Sequence, residues 1–466
     1  MDVKKLFQSG LIYTVGNLLI QGLAFITLPI YTRLISVEVF GQYSLYVSWV
    51  GIISLFIGLQ TSGSLSSGKT IYKEEFDNFS SSALMISNIS FLIFFVISYL
   101  FRSFFSKLLG FSELVFVLLI VQSFTNYIFN FFGQYFIQLQ KSFFNFILSL
   151  LNALFSVGLT LSFLFFSEND FYSRIFGALI PNIIVAAIAI FYIYQHSSVP
   201  FKTKYFYFII SISIPLIFHL FGHQVLNQLD RIMLASYKGT REVALYSFGY
   251  SLGMLIQIVL NSINTAWVPW YFEAKKNKDT NLSTYVKNYQ YLGVLITLGY
   301  LTIFPELAII LGGKNYAGTI DFISIIIVSY FLVFLYTFPV NVQFYHANTV
   351  WIPIGTLIAA FFNWAINIYL IPHYSSFGAA VATLLSYSIL LVFHHIISKI
   401  KYNYHEVNAR DYITLISIVI CYALVMNVLI KIPVLRFFIG FLILLGYYII
   451  NKKTISYYIK KLKRST

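Results

Sequence analysis

VQSFTNYIFNFFGQYFIQLQK, residues 121–141, holds the pattern that decides the fold. Gln122, Asn126, Asn130, Gln134 and Gln138 fall four apart, with Lys141 just beyond them. A helix turns about 100° per residue, so each step of four drifts by about 40° and the amides trace a spiral. No charge interrupts the stretch before Lys141, and about 20 such residues are what it takes to cross the hydrocarbon of a bilayer. The segment therefore reads as a membrane helix carrying side chains that lipid cannot satisfy.

The rest of the chain supports the membrane reading. Of 466 residues, 59% are hydrophobic and 10% charged, against about 25% charged in ordinary soluble domains, so no water-facing surface can be assembled from it. Apolar stretches of spanning length predict an all-α integral membrane protein of about fourteen helices: 11–33, 41–62, 80–101, 112–139, 143–166, 172–195, 205–229, 242–268, 285–311, 318–345, 350–371, 376–399, 411–431 and 433–451. The connections are too short for a soluble domain. MDVKK precedes a long span without a small-residue cleavage site, which reads as a retained first helix. With that end in the cytoplasm, the termini and even-numbered loops hold twenty of the thirty Lys and Arg residues, so both termini are expected inside. Cys421 is the only cysteine, so no internal disulfide is expected.

Two weak internal matches agree on one offset. Tyr43-Ser44 recurs as Tyr246-Ser247, and Phe176-Gly177-Ala178 as Phe377-Gly378-Ala379, spaced by 203 and 201 residues. They predict two pseudo-symmetric six-helix lobes, 1–200 and 201–401, plus two C-terminal helices and a basic tail in 402–466.

LPIYTRLISVEVFGQYSL (28–45), REVALYSFGYSL (241–252), LGGKNYAGTIDFI (311–323) and FFNWAINIYLIPHYSSFGAAVATLLSY (361–387) carry a resemblance. They resemble the polysaccharide transporter family of the multidrug/oligosaccharidyl-lipid/polysaccharide (MOP) exporter superfamily, in particular Wzx-type O-antigen flippases. The most specific piece runs from Asn363 through Ile371-Pro372 to Gly378-Ala379-Ala380. The resemblance implies the MATE-like MOP fold, residence in the bacterial inner membrane, and movement of undecaprenyl-diphosphate-linked oligosaccharide from the cytoplasmic to the periplasmic leaflet. A polysaccharide polymerase and a chain-length regulator would be its partners besides the lipid bilayer. Nothing points to nucleic acid. No cofactor is implied; coupling to a proton or sodium gradient stays open.

Enzymatic motifs are missing: the sequence has no HExxH, no GxSxG and no phosphate loop. A flippase needs inward-facing cations and hydrogen bonders instead. The candidates are Asn17, Gln21 and Arg33 on helix one; Asn126, Asn130, Gln134 and Lys141 on and after helix four; Arg174 at the start of helix six; His219, His223, Asn227, Asp230 and Arg231 on helix seven; and Asn261 and Asn264 on helix eight. Each has a plainer reading. Arg33 sits where a cation complements the negative end of a helix dipole. Asp230 and Arg231, read as ending helix seven, can pair with each other or with neighbours, and the amides can bond helix to helix. His219 and His223, four apart, lack an obvious third metal ligand, so no metal is expected. Of the amide spiral, Asn126, Asn130 and Gln134 are assigned to a cavity and the end members to packing or the interface. The resemblance implies a net-cationic cavity, in which arginine or lysine would hold pyrophosphate.

Three rivals remain. A multidrug or cation antiporter of the same superfamily would have acids buried mid-helix, whereas the acids here are read at helix ends and in loops. A membrane polysaccharide polymerase would need a sizeable extramembrane loop. A scaffold subunit of an envelope complex is the third.

Overall fold

The computed structural model describes residues 22, 23, 25–199, 201–443, 445–447 and 449. The described residues contain helices and turns without a strand. Eleven of the helices are long and apolar enough to cross a membrane.

We number the helices α1 (25–34), α2 (Val37–Ile57), α3 (Leu65–Ile71), α4 (Phe76–Leu100), α5 (Arg102–Leu109), α6 (Glu113–Gln138), α7 (Ser142–Phe166), α8 (Asp170–Gln195), α9 (Thr203–Lys238), α10 (Thr240–Lys276), α11 (Leu282–Gly312), α12 (Ile320–Tyr345), α13 (Trp351–Tyr402), α14 (Ala409–Val428) and α15 (433–443). Ser375 (φ 51°, ψ −134°) interrupts α13, so two spans meet there at a kink, held by hydrogen bonds from Ser375 Oγ and Ser376 Oγ to Glu242 Oε2, each 2.6 Å. With its two arms counted separately, twelve of the fourteen expected spans fall among the described residues; 11–33 and 433–451 lie partly outside them.

Four expected boundaries are corrected. The second span ends at Ile57 rather than 62, because Gly58, Leu59 (φ 50°) and Gln60 (φ 49°) turn the chain out of the helix before α3. A short helix, α5, follows α4 where the sequence reading leaves a loop; Gly110, at φ 73°, stops it. Asp230 does not end its helix: α9 runs on to Lys238 and stops at Gly239, at φ 87°, whose amide closes on Ala235 O and Leu234 O. Finally, α10 continues through Pro269 to Lys276 instead of ending at 268.

The chain divides into two compact units, one of residues 1–247 and 356–379, the other of 248–355 and 380–466. In the first, α2, α6 and α8 surround a core that includes Tyr46, Phe79, Phe131 and Ile175. Close approaches need glycine: a Cβ at Gly41 would lie 1.8 Å from Thr240 O, and one at Gly177 would lie 2.1 Å from Thr160 Oγ1. Asn152 Nδ2 donates to Asn182 Oδ1 at 3.0 Å across the α7–α8 seam. In the second unit, α11, α12 and α14 pack together, with Tyr422 against Thr302 at 2.7 Å and Asn427 Nδ2 donating to Ser324 Oγ at 2.8 Å. Arg436, fully buried, pairs with Glu306 of α11.

Candidate functional site: an amide-lined cavity beside a broken helix

A chain that leaves helical geometry inside a packed fold frees backbone groups, and buried ones need partners from protein or water. Between α2 and α3 that is done by hydroxyls. Tyr127 Oη meets Thr61 Oγ1 at 2.8 Å and Ser87 Oγ at 3.0 Å, and accepts from the Ser62 amide at 3.2 Å. Ser87 Oγ donates to Gly58 O at 3.0 Å, and Thr61 Oγ1 to Ala83 O at 2.9 Å. The ring of Tyr127 lies so close that a Cβ on Gly58 would come within 2.3 Å of it.

Beside the break lies a cavity of about 500 Å³ in the first unit. The segment 51–66 contributes Gly51, Ser54, Leu55, Gln60, Ser62, Gly63 and Ser66; α6 contributes Asn126, Tyr127, Asn130 and Gln134; α9 contributes Leu216, Leu220 and Gln224. None of these fourteen residues is charged. Three of the amides are anchored by their NH2 groups: Asn130 Nδ2 donates to Asn126 O at 3.0 Å, Gln224 Nε2 to Gly51 O at 3.0 Å, and Gln60 Nε2 to Ser54 O at 3.4 Å. Each of these amides keeps its oxygen as an acceptor and a second N–H as a donor.

Of the sequence candidates, the structure brings Asn126, Asn130 and Gln134 together at this cavity. Gln122 at the end of the spiral is buried and accepts from Tyr46 Oη at 2.9 Å. Lys141 stands beyond the end of α6, exposed, after the left-handed Gln140. Arg33 is exposed and donates to Pro29 O at 2.9 Å. Arg174 is stacked with Tyr31 at 3.7 Å and Tyr43 at 4.2 Å, ring centroid to guanidinium carbon, within the range of a cation–π contact. Neither arginine lines the cavity. Asn17 and Gln21 lie outside the described residues.

On α9, Asn227 Nδ2 donates to the carbonyl of His223 at 2.8 Å, and His219 and His223 flank the cavity-facing positions 220 and 224 without lining the cavity. Asp230 is fully buried and accepts from Tyr246 Oη and Asn367 Nδ2, each at 2.6 Å. Asn367 also donates to Asn363 Oδ1 at 3.1 Å. Arg231 donates to Ser247 Oγ at 3.0 Å and Gln228 Oε1 at 2.9 Å. The acid is thus mid-helix and buried, which corrects its placement at a helix end. Asn261 and Asn264 belong to the second unit; Asn261 is exposed and Asn264 half-buried. Among the described residues there is no group of three His, Cys, Asp or Glu side chains able to hold a metal.

The sequence reading misses Gln60, Gln224 and the serines of the break. GLQTSGSLSSG, residues 58–68, held the signal: small polar residues clustered in an apolar stretch mark a turn.

A family model described as polysaccharide biosynthesis protein matches residues 6–275. The chain belongs to that family. A relative from Haemophilus influenzae, described as an uncharacterized membrane protein, is 26% identical over 370 residues, covering 74% of this chain and 85% of its own length. The inward closed conformation of the lipid II flippase MurJ shares the fold, with a TM-score of 0.71 at 16% identity over 96% of this chain and 100% of that one. An inward-facing MATE family multidrug resistance transporter of the MOP superfamily matches with a TM-score of 0.61 at 12% identity, covering 82% and 95%. This polysaccharide biosynthesis family member is therefore a multi-pass membrane protein that shares its fold with the lipid II flippase MurJ and with MATE family transporters.

Proposed function

We propose that this protein is a flippase of the bacterial inner membrane that carries undecaprenyl-diphosphate-linked oligosaccharide repeat units, of the O-antigen or capsule type, from the cytoplasmic to the periplasmic leaflet by alternating access. The observation that carries this reading is the amide-lined cavity beside the α2–α3 break. A helix interruption with five primary amides around it is costly in lipid unless it serves a polar cargo. The two-lobe plan of residues 1–200 and 201–401 belongs to the same proposal, as do cytoplasmic termini and partnership with a polymerase and a chain-length regulator. The test is a deletion strain complemented with this chain, scored for the leaflet in which lipid-linked repeat units accumulate. Normal periplasmic delivery without the chain would sink the reading.

Buried Asp230 favours a second reading, because a mid-helix acid is what a cation-coupled antiporter of the same superfamily requires. It equally serves a flippase driven by a proton or sodium gradient. Export of a cationic dye by the intact protein, with no effect on repeat-unit delivery, would select the antiporter.

A further inference from the structure

The cavity beside the α2–α3 break is polar but carries no charge. Asn130, Gln224 and Gln60 each give an N–H to a backbone carbonyl and keep their oxygens as acceptors, while Asn126, Gln134 and the serine hydroxyls supply donors and acceptors both. Acceptors require donors in a ligand, and a diphosphate brings none. An anion placed there would also be desolvated with no counter-charge on the walls. The candidate arginines do not line it: Arg174 stacks on two tyrosine rings, and Arg231 bonds to Gln228 and Ser247. Alcohols satisfy the requirement, since each hydroxyl donates one hydrogen bond and accepts others. The leucines on one wall offer an apolar surface to the C–H face of a sugar ring. The volume of about 500 Å³ falls in the range of about 300–1,000 Å³ typical of small-molecule sites.

We propose that this cavity is a recognition site for uncharged sugar, plain or N-acetylated, that excludes the diphosphate and disfavours acidic sugars. The inference rests on the flippase reading and narrows its substrate: the unit held here is neutral, and the diphosphate is held at another place.

The test uses the purified full-length chain in lipid nanodiscs and saturation-transfer NMR. The probes are a tetramer of N-acetylglucosamine, a tetramer of galacturonic acid and inorganic pyrophosphate. We expect the neutral tetramer to bind, the acidic tetramer to bind at least about tenfold more weakly, and pyrophosphate not to compete. Asn130→Leu with Gln134→Leu should weaken the neutral probe by about tenfold, the loss of one or two hydrogen bonds. Both side chains are exposed, so the fold should survive, and an unchanged thermal midpoint checks it. Competition by pyrophosphate, equal binding of the acidic tetramer, no binding of the neutral one, or an affinity indifferent to the double substitution would each overturn the site. Leaflet delivery in the complemented strain is scored separately. Delivery without neutral-sugar binding removes this inference and leaves the flippase; binding without delivery does the reverse.

Discussion

Tyr127 holds the broken helix closed through one oxygen, which meets Thr61, Ser87 and the Ser62 amide. Tyr127→Phe keeps the ring that packs over Gly58 but leaves these buried groups short of a partner, a loss of about 1–3 kcal/mol. We expect a lower thermal midpoint in detergent, and an unchanged midpoint would show that the hydroxyl is dispensable. At this scale the sequence is partly legible. The cavity position of Asn126, Asn130 and Gln134 can be read because helical period is a local property. The partners of Tyr127 cannot: Ser87 is 40 residues away in sequence, and only packing brings it near. Asp230 was misplaced for a similar reason, since the helix stop that counts is Gly239, beyond an apolar stretch that the adjacent charge pair obscured.

Among the elements, the first part of the turn between α8 and α9 is held by several hydrogen bonds to one side chain. Asn78 Oδ1, near the start of α4, accepts from Ser197 Oγ at 2.9 Å and from the amides of Ser198 and Val199 at 2.9 and 3.1 Å. Glu75 adds Lys202 at 3.0 Å and Lys204 at 2.9 Å, but exposed ion pairs are worth little. Asn78→Ala should therefore free the turn, and trypsin should cut at Lys202 or Lys204 several-fold faster in the folded protein; an unchanged cleavage rate refutes the latch. Long spans were legible because an apolar run is its own signal. Boundaries shifted where one residue outweighs a run, as with the left-handed Leu59 and Gln60, or where a proline is tolerated, as with Pro269 in α10.

For the whole molecule, composition alone fixed the class, since 10% charged residues cannot clothe a soluble surface. Orientation rests on the lysine and arginine bias and is testable with Cys421 replaced by serine. Ser167→Cys should then react with a membrane-impermeant maleimide in intact cells, and Lys141→Cys only after permeabilisation; the opposite pattern would invert the topology. The division into compact units, 1–247 with 356–379 and 248–355 with 380–466, was not legible, because it depends on packing between distant parts of the chain, such as Asn367 of α13 on Asp230 of α9. The amide-lined cavity has one more implication. Primary amides and serine hydroxyls neither gain nor lose protons over the pH range in which cells live, and tyrosine ordinarily titrates near 10. Its grip on a ligand is thus indifferent to acidity, and any pH dependence of transport arises outside this cavity.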